Sequence, residues 1–98
     1  MEIEKTITEN RMDVRVEGKL DAVSSPTFEM EVTDELSGIT ELCIDLEGVE
    51  YISSAGLRVL LYLQQIMNEQ GSMVIRNVPE AVYSVFELTG FTEIVTIE

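Results

Sequence analysis

The 98-residue sequence contains no histidine. That absence excludes a nucleophile activated by imidazole and removes the commonest zinc ligand. A single cysteine, Cys43, excludes an internal disulfide. It lies in Leu42-Cys43-Ile44, a buried-strand context, and reads as a small core residue rather than a reactive thiol. So little cysteine points to the cytoplasm as the expected compartment. Basic residues are also scarce, 6 against 19 acids, which leaves a net charge of −13. Such a chain is a poor ligand for nucleic acid or an anionic membrane surface, so neither is an expected partner. Its field instead favours a partner with a basic docking face. Apolar runs are only a few residues long, so no transmembrane span is expected. The opening Met1-Glu2-Ile3-Glu4-Lys5, charged and alternating, is neither a signal nor a transit peptide. There is no glycine-rich phosphate loop with its lysine; Gly48 and Gly56 stand alone.

What is present is an ordinary globular composition, 45% hydrophobic, suited to one domain over residues 1–98 with one core. Residues 2–8 and 12–20 alternate, with Met12, Val14 and Val16 at period two. Two half-buried strands joined by the polar Glu9-Asn10-Arg11 predict an antiparallel hairpin, with a bulge near Gly18. A loop, Asp21 to Ser25, leads to a helix for which Ser25 is the expected N-cap and Pro26 the first residue. Phe28, Val32 and Leu36 form its stripe, and Ser37-Gly38 ends it. Residues 41–46 predict a central strand covered on both faces, followed by a turn at Glu47-Gly48-Val49-Glu50. A mostly buried helix is expected from about Ser54 to Glu69, stopped by Gly71. A strand over Ser72–Arg76, a helix after Pro79 with Val82, Val85, Phe86 and Thr89 on its stripe, and a strand over Glu93–Ile97 complete the chain. Alternating strands and helices predict an α/β fold: a mixed, mostly parallel sheet with helices packed against it.

The stretch that organises the rest is Tyr51 to Leu61, where the most apolar strand meets the most apolar helix. Ser53 and Ser54 stand at the joint. One reading is capping, in which a hydroxyl accepts from a first-turn amide, worth about 1 kcal/mol. The other is phosphorylation. A phosphate there meets the positive end of the helix dipole and adds about −1.5 to −2 charges to an acidic rim. A docked partner then feels repulsion with no change of fold. Gly56 either lets a partner's backbone come close or packs the helix start. Arg58 is placed to pair with the phosphate or with Glu50. Asp45 and Glu47, two apart on one side of a strand, are at most half of a metal site, so a small metal-dependent enzyme is a minor alternative and no cofactor is expected.

The segment Asp45-Leu46-Glu47-Gly48-Val49-Glu50-Tyr51-Ile52-Ser53-Ser54-Ala55-Gly56-Leu57 resembles the signature of the STAS domain, in the form found in bacterial anti-sigma factor antagonists. Val16-Glu17-Gly18-Lys19-Leu20-Asp21-Ala22 resembles the family's loop after the second strand, and Val85 to Phe91 its late helix. The resemblance implies a regulatory, non-catalytic, monomeric module. Its implied partners are an anti-sigma factor serine kinase with a histidine-kinase-like ATP-binding fold and a PP2C-type phosphatase. Binding the kinase would free a sigma factor, and phosphorylation of the antagonist would end that binding. The phosphorylated residue maps to Ser54, two before Gly56, with Ser53 as the alternative. The family usually has aspartate where this chain has Ser53. Asp21 maps to the loop beside the motif, as a partner contact or as a turn former. Asp21, Ser53, Ser54, Gly56 and Arg58 are thus the candidate partner-binding residues. Many relatives carry a further helix after the last strand; ending at Glu98 implies that it is absent or that the last strand is peripheral. The resemblance also admits a STAS interaction subunit of a sensory or lipid-transport assembly.

Overall fold

In a computed structural model that describes residues 1–98, the alternation of the first residues becomes β1 (Glu2–Thr8) and β2 (Arg11–Leu20). They pair antiparallel, Ile3 opposite Val16 and Ile7 opposite Met12. Glu9 turns the corner at φ 56°. The chain continues as α1 (Ser25–Thr33), β3 (Glu41–Ile52), α2 (Ser54–Gln70), β4 (Ser72–Arg76) and α3 (Glu80–Thr89). A 3₁₀ turn (Phe91–Glu93) and β5 (Thr96–Ile97) follow. The strands lie in chain order across one sheet, and β2 through β5 are parallel. Right-handed crossovers between strands added in one direction place every helix on the same face.

The burial pattern agrees. Met12, Val14 and Val16 of β2, Leu42, Ile44 and Leu46 of β3, and Met73 and Ile75 of β4 point to the helices and are buried. Phe28 and Val32 of α1, Leu60, Leu63 and Met67 of α2, and Val82 and Phe86 of α3 meet them. Together they form one apolar cluster of 23 residues. The opposite face has no helix and carries ion pairs along the strands: Arg11 with Asp13, Arg15 with Glu17, and Arg76 with Glu98. The expected double cover of β3 is therefore corrected. Its alternate residues, Asp45 and Glu47, sit on this uncovered polar face, and only Cys43 there is buried. Burial raises the Cys43 thiol pKa, which keeps it protonated and unreactive.

Other boundaries differ from the sequence reading for physical reasons. The turn expected at Glu47–Glu50 is strand, because the long β2 supplies partners: Glu17 opposite Gly48, Gly18 opposite Val49 and Lys19 opposite Tyr51. Gly48 marks a close approach, since a Cβ there would lie 2.6 Å from Glu17 Cγ. Register shifts precede Glu17 and follow Gly18, whose φ is 104°, as the expected bulge requires. Helix α1 stops at Thr33, before Ser37-Gly38, yet Leu36 still packs into the core. Helix α2 is one-sided rather than mostly buried: Arg58 and Tyr62 face solvent, and Leu57, Leu61 and Ile66 are half-buried. The strand expected from Glu93 begins only at Thr96, because Gly90 in the left-handed region turns the chain and seats Phe91 against Phe86, ring centroids 5.0 Å apart. Thr89 is exposed and bonds back to the Val85 carbonyl instead of joining the α3 stripe.

The largest buried side chain of α1 is Phe28. Phe28→Ala removes a ring from a closed core and is expected to lower unfolding stability by about 3–5 kcal/mol, read as an earlier urea midpoint.

Candidate functional site

Because β2 and β3 are parallel and pair up to Leu20 opposite Ile52, their carboxyl ends share one edge, and the loops into α1 and α2 meet there. This is the edge at which open α/β sheets place their binding groups. Asp21, Ser53, Ser54 and Arg58 all come to it.

Ser53 is the N-cap of α2, in extended backbone at φ −97° and ψ 175°. Its Oγ accepts a long bond from the Gly56 N–H, 3.4 Å, and donates to the Leu20 carbonyl at 3.3 Å. Its own N–H also donates to Leu20, at 3.0 Å. The side chain is half-buried and committed to structure. Ser54 differs on each count: it is the first residue of α2, it is exposed, and its hydroxyl makes no hydrogen bond. The two readings that local sequence leaves open thus separate by residue. Capping belongs to Ser53, and a free hydroxyl belongs to Ser54.

Gly56 is buried, and a Cβ on it would meet the Leu20 carbonyl at 2.7 Å and Ile52 Cγ1 at 2.8 Å. Its place is against the ends of β2 and β3, which is the packing role. Arg58 is exposed and forms no ion pair, with Glu50 or any other acid. Asp21 organises its own loop. Its Oδ1 accepts from the Ser24 and Val23 N–H groups, each at 3.0 Å, and its carbonyl accepts from Ser25. The Ser24 and Val23 backbone bonds hold the Asp21 pKa below the usual carboxylate range, with the Ser24 hydroxyl adding to them. The turn-forming role is therefore present, and Oδ2 accepts none of these bonds.

Ser24, rather than Ser25, occupies the N-cap of α1. Its hydroxyl donates to the Lys19 carbonyl at 2.6 Å instead of capping the helix. Ser25, the expected N-cap, is instead the first residue of α1 and is buried. Asp45 is engaged away from this edge: Oδ1 accepts the Glu47 N–H at 2.9 Å and Oδ2 accepts Asn77 Nδ2 at 3.0 Å. No three carboxylate or thiol groups converge as metal ligands.

The family model of the STAS domain matches residues 2–98. The chain belongs to the STAS domain family. It is 31% identical over 101 residues to the anti-sigma-B factor antagonist of Listeria monocytogenes, covering 100% of this chain and 87% of the relative. It is 29% identical over 90 residues to the anti-sigma-B factor antagonist of Bacillus subtilis, covering 91% and 83%. Among solved structures, the Bacillus cell fate determinant SpoIIAA in its phosphorylated form superposes with a TM-score of 0.77 at 15% identity. That match covers 99% of this chain and 91% of SpoIIAA, and it shows the shared fold. No helix of this STAS domain is long and apolar enough to cross a membrane.

Two outcomes follow from this geometry. Gly56→Ala forces a methyl group against the Leu20 backbone and is expected to destabilise the fold by about 1–3 kcal/mol, measured by urea unfolding. For Asp21, a depressed folded-state pKa means stability that is present above the unfolded-state value and lost as the pH falls. The stability gap between wild type and Asp21→Asn is therefore expected to be constant near neutrality and to shrink as the pH drops through and below 3.8. A pH-independent gap would show that the carboxylate charge does not hold the loop.

Proposed function

We propose that this protein is an anti-sigma factor antagonist whose docking edge is switched by phosphorylation of Ser54. The observation that carries the reading is the contrast at the start of α2: Ser53 is spent on the joint, while the Ser54 hydroxyl is exposed and unbonded. The names of the relatives support it, as does the existence of a phosphorylated form of SpoIIAA. In this reading a serine kinase of histidine-kinase-like ATP-binding fold is the anti-sigma factor. It docks on the edge formed by Asp21, Ser53, Ser54 and Arg58, and releases its sigma factor. Gly56 supports that edge from inside.

The switch needs no change of fold. A phosphate on the first residue of α2 lies at the positive end of a 17-residue helix, where anions are favoured. The cost falls on the interface, which gains about −1.5 to −2 charges and the bulk of the phosphate. The kinase therefore loses its grip on its own product, and a PP2C-type phosphatase restores the antagonist. In this account the protein is a cytoplasmic monomer that regulates transcription through protein contacts and catalyses no reaction itself.

The test uses the cognate kinase and ATP, with the phosphate mapped by mass spectrometry. Phosphate is expected on Ser54. Ser54→Asp is expected to weaken kinase binding by about tenfold or more, equivalent to about 1.4 kcal/mol or more, while Ser54→Ala retains it. Phosphate on neither serine, or equal affinities for Ser54→Asp and wild type, overturns the switch. Phosphate on Ser53 alone moves the acceptor by one residue.

A further inference from the structure

Lys5 is the anomaly of β1. Ile3, Lys5 and Ile7 stand opposite Val16, Val14 and Met12 of β2, all buried under the helices. Alternation along the strand therefore turns all three toward the helix layer. An apolar residue is the ordinary choice between two isoleucines on that face, and a lysine interrupts the stripe. Its ammonium reaches the α1 region, where it donates to the Glu31 carbonyl at 2.8 Å and pairs with the Glu31 and Glu35 carboxylates. The lysine side chain is only 18% exposed, so its stem lies against the protein. The Glu35 carboxylate, and then that of Glu31, raise its pKa and keep it charged.

The place of β1 in the sheet gives this lysine a role. β1 is the outer strand, and its seven residues have a partner on one side only. The opposite edge is β5, with just two residues. Antiparallel pairing with β2 uses the N–H and C=O groups of alternate residues and leaves the others facing outward. A long open edge of this kind is a template for another strand. A second copy of this chain carries a matching edge. Antiparallel pairing of two β1 strands about Lys5 sets Ile3 of one copy opposite Ile7 of the other. Both isoleucines are incompletely covered, Ile7 being 43% exposed. The same register sets Lys5 opposite Lys5, and like charges directly opposite repel. It also takes the remaining water from both ammonium groups, which is costly.

We propose that Lys5, held in place by Glu31 and Glu35, keeps β1 from pairing with a second copy of this chain. The isoleucines supply the attraction, and the clamped charge between them opposes it. The device is separate from the Ser54 edge and does not rest on that reading.

Lys5→Ile tests it, because this change completes the stripe and removes the charge. It also makes the net charge of −13 more negative by one, so general repulsion between copies rises. Association of the variant is then local in origin. In light scattering up to about 1 mM chain, wild type and Lys5→Arg are expected to keep the 11.0 kDa mass of one chain. Lys5→Ile is expected to rise to twice that mass or beyond, with β1 amides that exchange hydrogen more slowly as concentration increases. Ile7→Glu in the Lys5→Ile background returns a charge to the stripe and is expected to restore the monomer. Urea unfolding checks folding, and Lys5→Val is the second variant if Lys5→Ile loses its cooperative transition. A folded Lys5→Ile or Lys5→Val that stays monomeric overturns the proposal. So does association that leaves the β1 amides unprotected, or that Ile7→Glu does not reverse. Wild-type β1 amides that gain protection with concentration overturn it as well. Loss of cooperative unfolding in both variants does the same, since the clamp is then a requirement of folding.

Discussion

One backbone carbonyl, that of Leu20, holds the working edge of this protein together. It accepts the Ser53 N–H and the Ser53 hydroxyl, and it forms the wall against which Gly56 packs without a side chain. The end of β2, the end of β3 and the start of α2 thereby meet at one point. Leu20 itself is fully buried, so the point is anchored in the core. Everything at the edge takes its position from this contact. Ser53 must face inward to reach it, and the next residue of the helix must then face outward. The exposure of Ser54 is a geometric consequence of the commitment of Ser53.

The charge distribution follows a similar division of labour. On the sheet face without helices, acids and arginines pair along the strands, exposed and of small energetic worth each. Lys5 is likewise paired with Glu31 and Glu35 of the α1 region. These pairs leave Lys19 and Arg58 as the free cations. The edge is thus less acidic than net charge implies, and it holds a hydroxyl whose modification would reverse that local balance. A helix N-terminus tolerates the added phosphate, whereas an occupied interface does not.

Much of this was legible in the sequence because it depends on local chemistry. Period-two alternation marks β1 and β2, proline and glycine bracket α3, and the Ser53-to-Leu57 joint marks α2. The errors lie where a distant partner decides. Glu47–Glu50 looks like a turn in isolation and becomes strand because β2 is long enough to pair with it. The short apolar run at Leu42-Cys43-Ile44 looks doubly covered, yet sequential strand order puts all helices on one side. For Gly56 the sequence left two roles open, and the packing one depends on a contact with Leu20, 36 positions earlier in the chain.

The sequence by itself determined the element order, the hydrophobic stripes, the exclusion of imidazole chemistry and the presence of two candidate hydroxyls at one helix start. Those properties are carried by residue type and near-neighbour spacing. Which hydroxyl is free, which arginine is unpaired and which serine is buried without a partner were decided only by tertiary structure. Adjacent serines have the same chemistry, and they differ only when a carbonyl from another strand takes one of them.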